Sequence, residues 1–288
     1  MIHSIRHRTI YSYGSTVLLS HHLAHLTPRL APGQQVLQSR IDITPRPRRL
    51  VPGTDHFGNH TLYFQIDEPH TRLVVEAQAR VRLEPEDGGG LFPSPDWWQV
   101  AETVAAEPDL AEMLMPSPHV PLERVARDYA RPSFTPGKPL LDGVRDLSRR
   151  IHTDFTFDPT ATSIATPLDQ VMKHRRGVCQ DFAHLMLACL RSLGLPARYV
   201  SGYLETLPPP GKPKLQGADA SHAWVGVYSP GLGWLDVDPT NDLFPAERHV
   251  TLAWGRDFSD VSPLKGVIHG GGSQTVEVGV DVATNNDG

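Results

Sequence analysis

One segment, residues 179–193, constrains the fold most strongly, because it is apolar on nearly every side of the helix that its spacing predicts. Alanines alternate with large apolar side chains at helical intervals, namely Phe182, Leu185, Met186, Cys189, Leu190 and Leu193. Gly194 and Pro196 then end the pattern. A helix without a polar face must be covered by other elements, so we expect a central helix buried in a folded core.

Composition agrees with a folded core and excludes several classes of protein. Of the 288 residues, 39% are hydrophobic and 20% are charged, which is typical of a globular chain rather than a disordered one. The formal net charge of −5 disfavours a nucleic-acid-binding function. Two cysteines supply neither a disulfide framework nor a four-cysteine zinc site.

Location and cofactors are predicted from what the sequence lacks. No apolar run has the length of a signal peptide or a membrane helix, so we expect a soluble, cytoplasmic protein without membrane association. His21, His22 and His25 have helix-like spacing, but no fourth ligand accompanies them. We therefore predict neither a metal nor a cofactor.

Turn residues and changes of periodicity divide the chain into three parts. Residues 1–85 contain short strands with turn residues between them and predict a small all-β sandwich. Residues 86–138 are proline-rich and predict a linker with short helices. Residues 139–288 begin with helices and continue with strands, which predicts an α+β unit with a C-terminal strand. The predicted strands span residues 3–11, 39–43, 61–66, 73–83, 197–205, 223–228, 233–237 and 275–282.

Cys179 stands where one element ends at Gly177 and the buried helix begins. Unpaired amides and the positive end of the helix dipole favour the thiolate there, and the same amides could hold an oxyanion. A structural cysteine is the alternative from position alone. Cys189 lies about 15 Å further along the helix, too far for a disulfide, and is predicted to be a core residue.

His222 and a downstream aspartate are predicted to meet on neighbouring strands. With residues 229–233 as a hairpin loop, paired residue numbers add up to 462, which places His222 closer to Asp238 than to Asp236. An imidazole oriented by a carboxylate is the base that a thiol nucleophile requires. Taken singly, His222 could be a histidine at a strand end, and Asp238 a turn residue before Pro239.

Four stretches of the sequence together resemble the transglutaminase-like core superfamily in its bacterial form: GVCQDFAHL, LGLPARYVSGY, SHAWVGVY and GWLDVDPTN. The resemblance covers about residues 140–265 and implies a papain-like core, in which a helix carrying the cysteine packs on an antiparallel sheet. It also implies a triad of Cys179, His222 and Asp238. Residues 1–85 more loosely resemble the β-rich N-terminal region that accompanies such cores in bacteria.

The resemblance implies a thiol-dependent acyl-transfer enzyme that acts on peptide or glutamine carboxamide bonds of a peptide or protein substrate. We expect a cysteine peptidase or amidase. A protein-glutamine gamma-glutamyltransferase, a non-catalytic peptide-binding module and a homo-oligomeric state all remain open. Residues expected to line the cleft or to support the triad are Gln180, Asp181, Tyr203, Trp224, Trp234 and Asn241, with packing as the alternative for the aromatic ones. Residues 206–220 are interpreted either as a flap over the substrate or as a surface loop.

Overall fold

The computed structural model describes residues 1–84, 94–104, 107–205 and 220–285. Seven strands form one antiparallel sheet. They are β1 (Ile2–Ala24), β2 (Gln34–Thr44), β3 (Arg49–Thr54), β4 (His60–Ile66), β5 (His70–Leu83), β12 (Leu264–Gly270) and β13 (Gln274–Asn285).

Strand β1 is shared by the two halves of this sheet. Its first half, residues 2–12, pairs with β5 on one side and β13 on the other. Its second half, residues 17–24, pairs with β12 and β4. The strands predicted for a sandwich are therefore joined through β1 into one continuous sheet.

Helices occupy most of the segment between this sheet and the second one. They are α1 (Trp97–Val104), α2 (Pro108–Ala111), α3 (Arg124–Ala130), α4 (Leu140–Asp154), α5 (Leu168–His174), α6 (Cys179–Ser192) and, beyond the second sheet, α7 (Phe258–Val261). Two 3₁₀ turns span Glu112–Leu114 and Arg131–Ser133. A short parallel pair, β6 (Thr156–Phe157) and β7 (Arg176–Gly177), leads into α6.

The second sheet has four antiparallel strands in the order β10-β9-β8-β11. They are β8 (Ala197–Leu204), β9 (Ala220–Ser229), β10 (Gly233–Val237) and β11 (His249–Gly255). Helix α6 is buried from Asp181 to Arg191 and packs against α3, α4, α5, β8 and β9. The predicted α+β class and the predicted central buried helix are both confirmed. A helix that is apolar on all sides is stable only where other elements cover it completely.

The two sheets are joined by an apolar cluster. Tyr203, Val250 and Leu252 of the second sheet contact side chains of β1, β5 and β13 in the first. The prediction placed all of residues 139–288 in one unit, but β12 and β13 hydrogen-bond to β1. The chain therefore leaves the first sheet after β5, builds the second sheet and the helices, and returns.

Candidate active site

Cys179 is the first residue of α6, and its surroundings hold this helix start in place. Val178, just before it, has an extended backbone. The Asp181 carboxylate accepts the Val178 N–H at 2.8 Å and the Thr162 hydroxyl at 2.7 Å. Burial raises the pKa of Asp181, while these two hydrogen bonds act in the opposite direction. Asp181 thus caps the helix that carries the thiol, as a supporting residue rather than a reacting one.

The two cysteines differ sharply in environment. Cys179 is partly exposed, whereas Cys189 is fully buried and donates its thiol to the Ala126 carbonyl oxygen at 3.3 Å. Burial raises the pKa of the Cys189 thiol well above its usual range. Cys189 is therefore a core residue, as predicted, and an inert one.

His222 meets Asp238 as the hairpin register predicts. Trp234 pairs with Tyr228, so paired numbers do add up to 462. Beyond the last paired residues, His222 Nε2 lies 2.6 Å from Asp238 Oδ2. Asp236 is turned elsewhere and accepts the Trp224 indole N–H at 2.8 Å. These contacts make Asp238, and not Asp236, the hydrogen-bond partner of His222.

Asp238 is fully buried, and its carboxylate is surrounded by donors. Oδ1 accepts the backbone N–H groups of Thr240 and Asn241 at 2.9 and 3.2 Å. Oδ2 accepts the Asn241 amide at 2.7 Å as well as the His222 ring. Burial alone would raise the pKa of Asp238, but hydrogen bonds from His222, His249 and Asn241 and the charge of His222 lower it well below its usual range.

His222 links Asp238 to Cys179. Burial disfavours the charged ring, yet hydrogen bonds to Asp238 and to the Cys179 side chain, with the charges of both groups, raise the pKa of His222 to about 10. Because Nε2 faces Asp238, Nδ1 is the ring nitrogen left for the sulfur. The His222 ring therefore lies between the Asp238 carboxylate and the Cys179 side chain and interacts with both.

His249 joins this cluster and was missed by sequence reasoning. Its Nε2 lies 3.1 Å from Asp238 Oδ2, and its ring packs edge-on against Trp224 at 5.2 Å between centroids. His249 begins β11, a strand that no alternating pattern had predicted, so the sequence carried no signal for it. Two histidines and a carboxylate are also a metal-ligand set, but here Asp238 Oδ2 is hydrogen-bonded to both rings within a buried network.

The predicted aromatic residues are placed differently from one another. Trp224 is fully buried beside His222, with ring centroids 6.1 Å apart. Trp234 packs against Tyr228 and the Arg198 guanidinium instead of the triad. Tyr203 is buried between the two sheets. It does not line a cleft, because its hydroxyl is bonded to His7 Nδ1 at 3.0 Å and its ring fills the inter-sheet cluster.

Three further expectations have different outcomes. Gln180 is half-buried in the first turn of α6, next to Cys179. The predicted flap at 206–220 falls, apart from the backbone of its last residue, outside the described residues. His21 and His22 are neighbours on β1 and engage Tyr63 and Phe64 separately, because strand residues alternate between faces.

Comparison with known proteins identifies the family. Residues 3–82 match the bacterial transglutaminase-like N-terminal region, and residues 127–239 match the transglutaminase-like superfamily. An uncharacterized protein of Mycobacterium tuberculosis is 40% identical over 286 residues, covering 96% of this chain and 91% of the relative. The chain belongs to the transglutaminase-like superfamily.

Two other comparisons bear on the fold and on function. The crystal structure of a candidate cysteine protease from Cytophaga hutchinsonii is 22% identical, with a TM-score of 0.77 over 98% of this chain and 90% of that one. It confirms the fold of this transglutaminase-like protein. A protein-glutamine gamma-glutamyltransferase of Pseudomonas aeruginosa is 30% identical over 186 residues, which are 63% of this chain and 27% of that protein. Among the described residues, none of the helices has the length and apolarity to cross a bilayer.

Proposed function

We propose that this transglutaminase-like protein is a thiol-dependent acyl-transfer enzyme in which Cys179 is the nucleophile, His222 the base and Asp238 the group that orients His222. The observation that carries the proposal is the position of His222, hydrogen-bonded to Asp238 at 2.6 Å and also interacting with the Cys179 side chain. A partly exposed thiol at a helix start, beside an imidazole held by a buried carboxylate, is the arrangement of an activated cysteine.

The reaction begins when the Cys179 thiol proton passes to His222 Nδ1. The thiolate then attacks the carbonyl carbon of a carboxamide or peptide, and the carbonyl electron pair moves to oxygen. The Cys179 backbone N–H lies at the helix N-terminus, where it is free to stabilise this oxyanion. When the tetrahedral intermediate collapses, His222 returns the proton to the departing ammonia or amine, which leaves a thioester on Cys179.

Asp238 keeps this proton transfer in a single geometry. Its Oδ2 accepts the His222 Nε2–H, so the proton-accepting nitrogen is Nδ1, and its negative charge stabilises the imidazolium. The raised pKa of His222 follows from this arrangement, because the charged ring is stabilised on both sides. The charged form of the His222 ring is thereby favoured near neutral pH.

We propose hydrolysis as the fate of the thioester. Cys179 is partly exposed, so water reaches the position of the thioester. An enzyme that transfers the acyl group to an amine must exclude water, since water competes for the same intermediate. Transfer to an amine is the second candidate, because the Pseudomonas aeruginosa relative is named as a protein-glutamine gamma-glutamyltransferase.

Mass spectrometry of a glutamine-containing peptide library tests this function, with and without an added primary amine. Hydrolysis of a peptide bond gives cleaved products, hydrolysis of a carboxamide adds about 1 Da, and transfer adds the mass of the amine less ammonia. Cys179→Ala should abolish every product, whereas the matched variant Cys189→Ala should retain them. Peptides that bind without any mass change in the wild-type protein would contradict the proposal and favour a binding module.

A further inference from the structure

The Asp238 side chain accepts a hydrogen bond from a second histidine in addition to His222. His249 Nε2 lies 3.1 Å from the same oxygen, Oδ2, that accepts the His222 N–H at 2.6 Å. Both rings are at least nine-tenths buried, and Asp238 is wholly buried. The two histidines come from different strands, β9 and β11, which lie on opposite sides of β8.

Five N–H donors converge on this one carboxylate. Two backbone amides bind Oδ1, and three side chains bind Oδ2: Asn241, His222 and His249. A carboxylate offers about four lone-pair directions, so its acceptor capacity is filled. Because the donors sit on separate elements, the carboxylate has no freedom to rotate away from His222. A hydrogen bond from His249 also takes up part of the negative charge that otherwise acts on His222.

The ring of His249 is fixed by packing against two neighbouring rings. Trp224 packs edge-on against it, and the His222 ring lies 5.9 Å away between centroids. Asp236 is only partly buried and has other partners, the Trp224 indole at 2.8 Å and the Arg198 guanidinium at 3.9 Å. Of Asp236 and Asp238, it is Asp238 that His249 contacts.

We propose that His249 is a positioning residue for the reaction. It donates its Nε2–H to Asp238 Oδ2, fixes the carboxylate against His222, and shares the carboxylate charge so that His222 can release its proton to the leaving group. This inference rests on the proposed function, because it acts through the Cys179–His222–Asp238 chain. His249 itself has no contact with the Cys179 sulfur among the described hydrogen bonds.

The proposal has a direction that can be measured. Without the His249 donor, more of the Asp238 charge acts on His222, which holds the imidazolium proton more tightly. The groups that face His222 across the described elements are Cys179 on α6, Asp238 and Asn241 after β10, and His249 on β11. Of these groups only His249 is altered in the variant, so the pKa of His222 must rise.

The test uses the full chain; its alkylation arm needs no known substrate, and its kinetic arm uses a peptide that the glutamine-containing library shows to be turned over. The rate at which iodoacetamide alkylates Cys179 is measured from pH 5 to 11 by mass spectrometry, and its upper inflection reports proton loss from His222. We expect His249→Phe to move that inflection upward by at least half a pH unit and to lower turnover about tenfold with KM unchanged. His249→Gln keeps an amide donor at the position of Nε2, so it should return the inflection to within about 0.2 pH units of wild type and turnover to within about threefold.

The control is His22→Phe, since His22 is another buried histidine but lies in β1, stacked on Phe64. It should leave the profile unchanged. A folded His249→Phe variant with a wild-type profile and turnover would overturn the proposal. If that variant does not fold, His249→Asn replaces it, because its amide is too short to reach Oδ2; a wild-type profile in the Asn variant overturns the proposal equally.

The two proposals fail in different ways. If Cys179 in the wild-type protein is alkylated no faster than Cys189, the proposed function fails and this inference falls with it. If Cys179 is fast and responds to His222→Ala but not to any change at His249, only the role of His249 is overturned.

Discussion

Gly177 and Asp181 are so close that a Cβ on Gly177 would lie 2.6 Å from an oxygen of the Asp181 carboxylate and 2.9 Å from its Cβ. No side chain fits there without moving the group that caps α6. The glycine two residues before Cys179 is therefore required by packing, and the thiol position depends on it.

Gly177→Ala is expected to displace Asp181 and release the start of α6. The lost cap should lower the free energy of unfolding by about 1–2 kcal/mol and slow alkylation of Cys179 at neutral pH. Urea unfolding and alkylation rates measure the two effects. Gly53→Ala is the matched control, because the new Cβ would meet only the Thr61 hydroxyl at 3.1 Å in the exposed strand β3. Equal effects in both variants would contradict the role of Gly177.

Buried Asp238 and partly buried Asp236 should separate activity from stability. Asp238→Asn places an amide among five donors and removes the anion beside His222, so turnover should fall by about 10²–10⁴. Asp236→Asn keeps an acceptor for the Trp224 indole but removes the charge near Arg198, so it should lower stability more than turnover. Steady-state kinetics beside thermal unfolding checks this, and a larger loss of turnover in Asp236→Asn would refute it.

The two thiols should react at very different rates. Near neutral pH, Cys179 should be alkylated at least about 100-fold faster than Cys189, because Cys189 is fully buried and its pKa is raised by that burial. Peptide mass spectrometry after timed alkylation gives both rates in one sample. In 6 M urea the difference should disappear, and a difference that persisted there would point to a cause other than the fold.

Acid should destabilise the first sheet through its buried histidines. Burial lowers the pKa of His7 to about 4 and that of His22 to about 4, with the charges of His70 and His21 adding to the shift at His22. Below pH 6.5 the unfolded chain binds protons that the folded chain does not take up until about pH 4, so the free energy of unfolding falls as pH falls through this window. Each histidine contributes at most about 1.4 kcal/mol per pH unit.

Urea titrations at pH 7, 6, 5 and 4.5 measure this slope. His22→Phe should reduce it by up to one proton, and an unchanged slope in that variant would contradict the assignment. The contribution of His222 to the free energy of unfolding changes with pH in the opposite direction. Since its pKa is raised to about 10, its contribution to stability is full below pH 6.5 and is lost as pH rises through about 10.

Tyr203→Phe tests the position of Tyr203 between the sheets. Loss of its hydroxyl leaves buried His7 without that partner, so stability should fall by about 1–2 kcal/mol. The alkylation rate of Cys179 should stay within twofold of wild type, because Tyr203 lies in the inter-sheet cluster. A strong drop in the alkylation rate with unchanged stability would contradict this position and indicate that Tyr203 lines the cleft.

The elements predicted well are those with strong local signals. Helix α6 was predicted over 179–193 and spans Cys179–Ser192, because a continuous apolar run bounded by Gly194 has few alternative structures. The hairpin of β9 and β10 was predicted in the correct register, since Pro230, Gly231 and Gly233 leave little choice for the turn. That register is what brought Asp238 to His222.

Elements stabilised by distant partners were missed. Strand β3 contains Pro52 and Gly53, both unfavourable in strands, and is held by its pairing with β4. Strand β11 lacks clean alternation because both of its faces are buried, one against each apolar cluster. His249 was missed with it. Its contact with Asp238 joins residues eleven positions apart through the packing of whole strands, for which no local pattern exists.

Because β1 pairs with β13 from Ile2↔Asn285 to Tyr13↔Gln274, strand β1 lacks one of its neighbours until residues 274–285 have left the ribosome. During synthesis, its main-chain groups on that side remain available to other edges. Expression with residues 264–288 deleted should therefore give a chain prone to self-association, even though every side chain of the Cys179 cluster is still encoded.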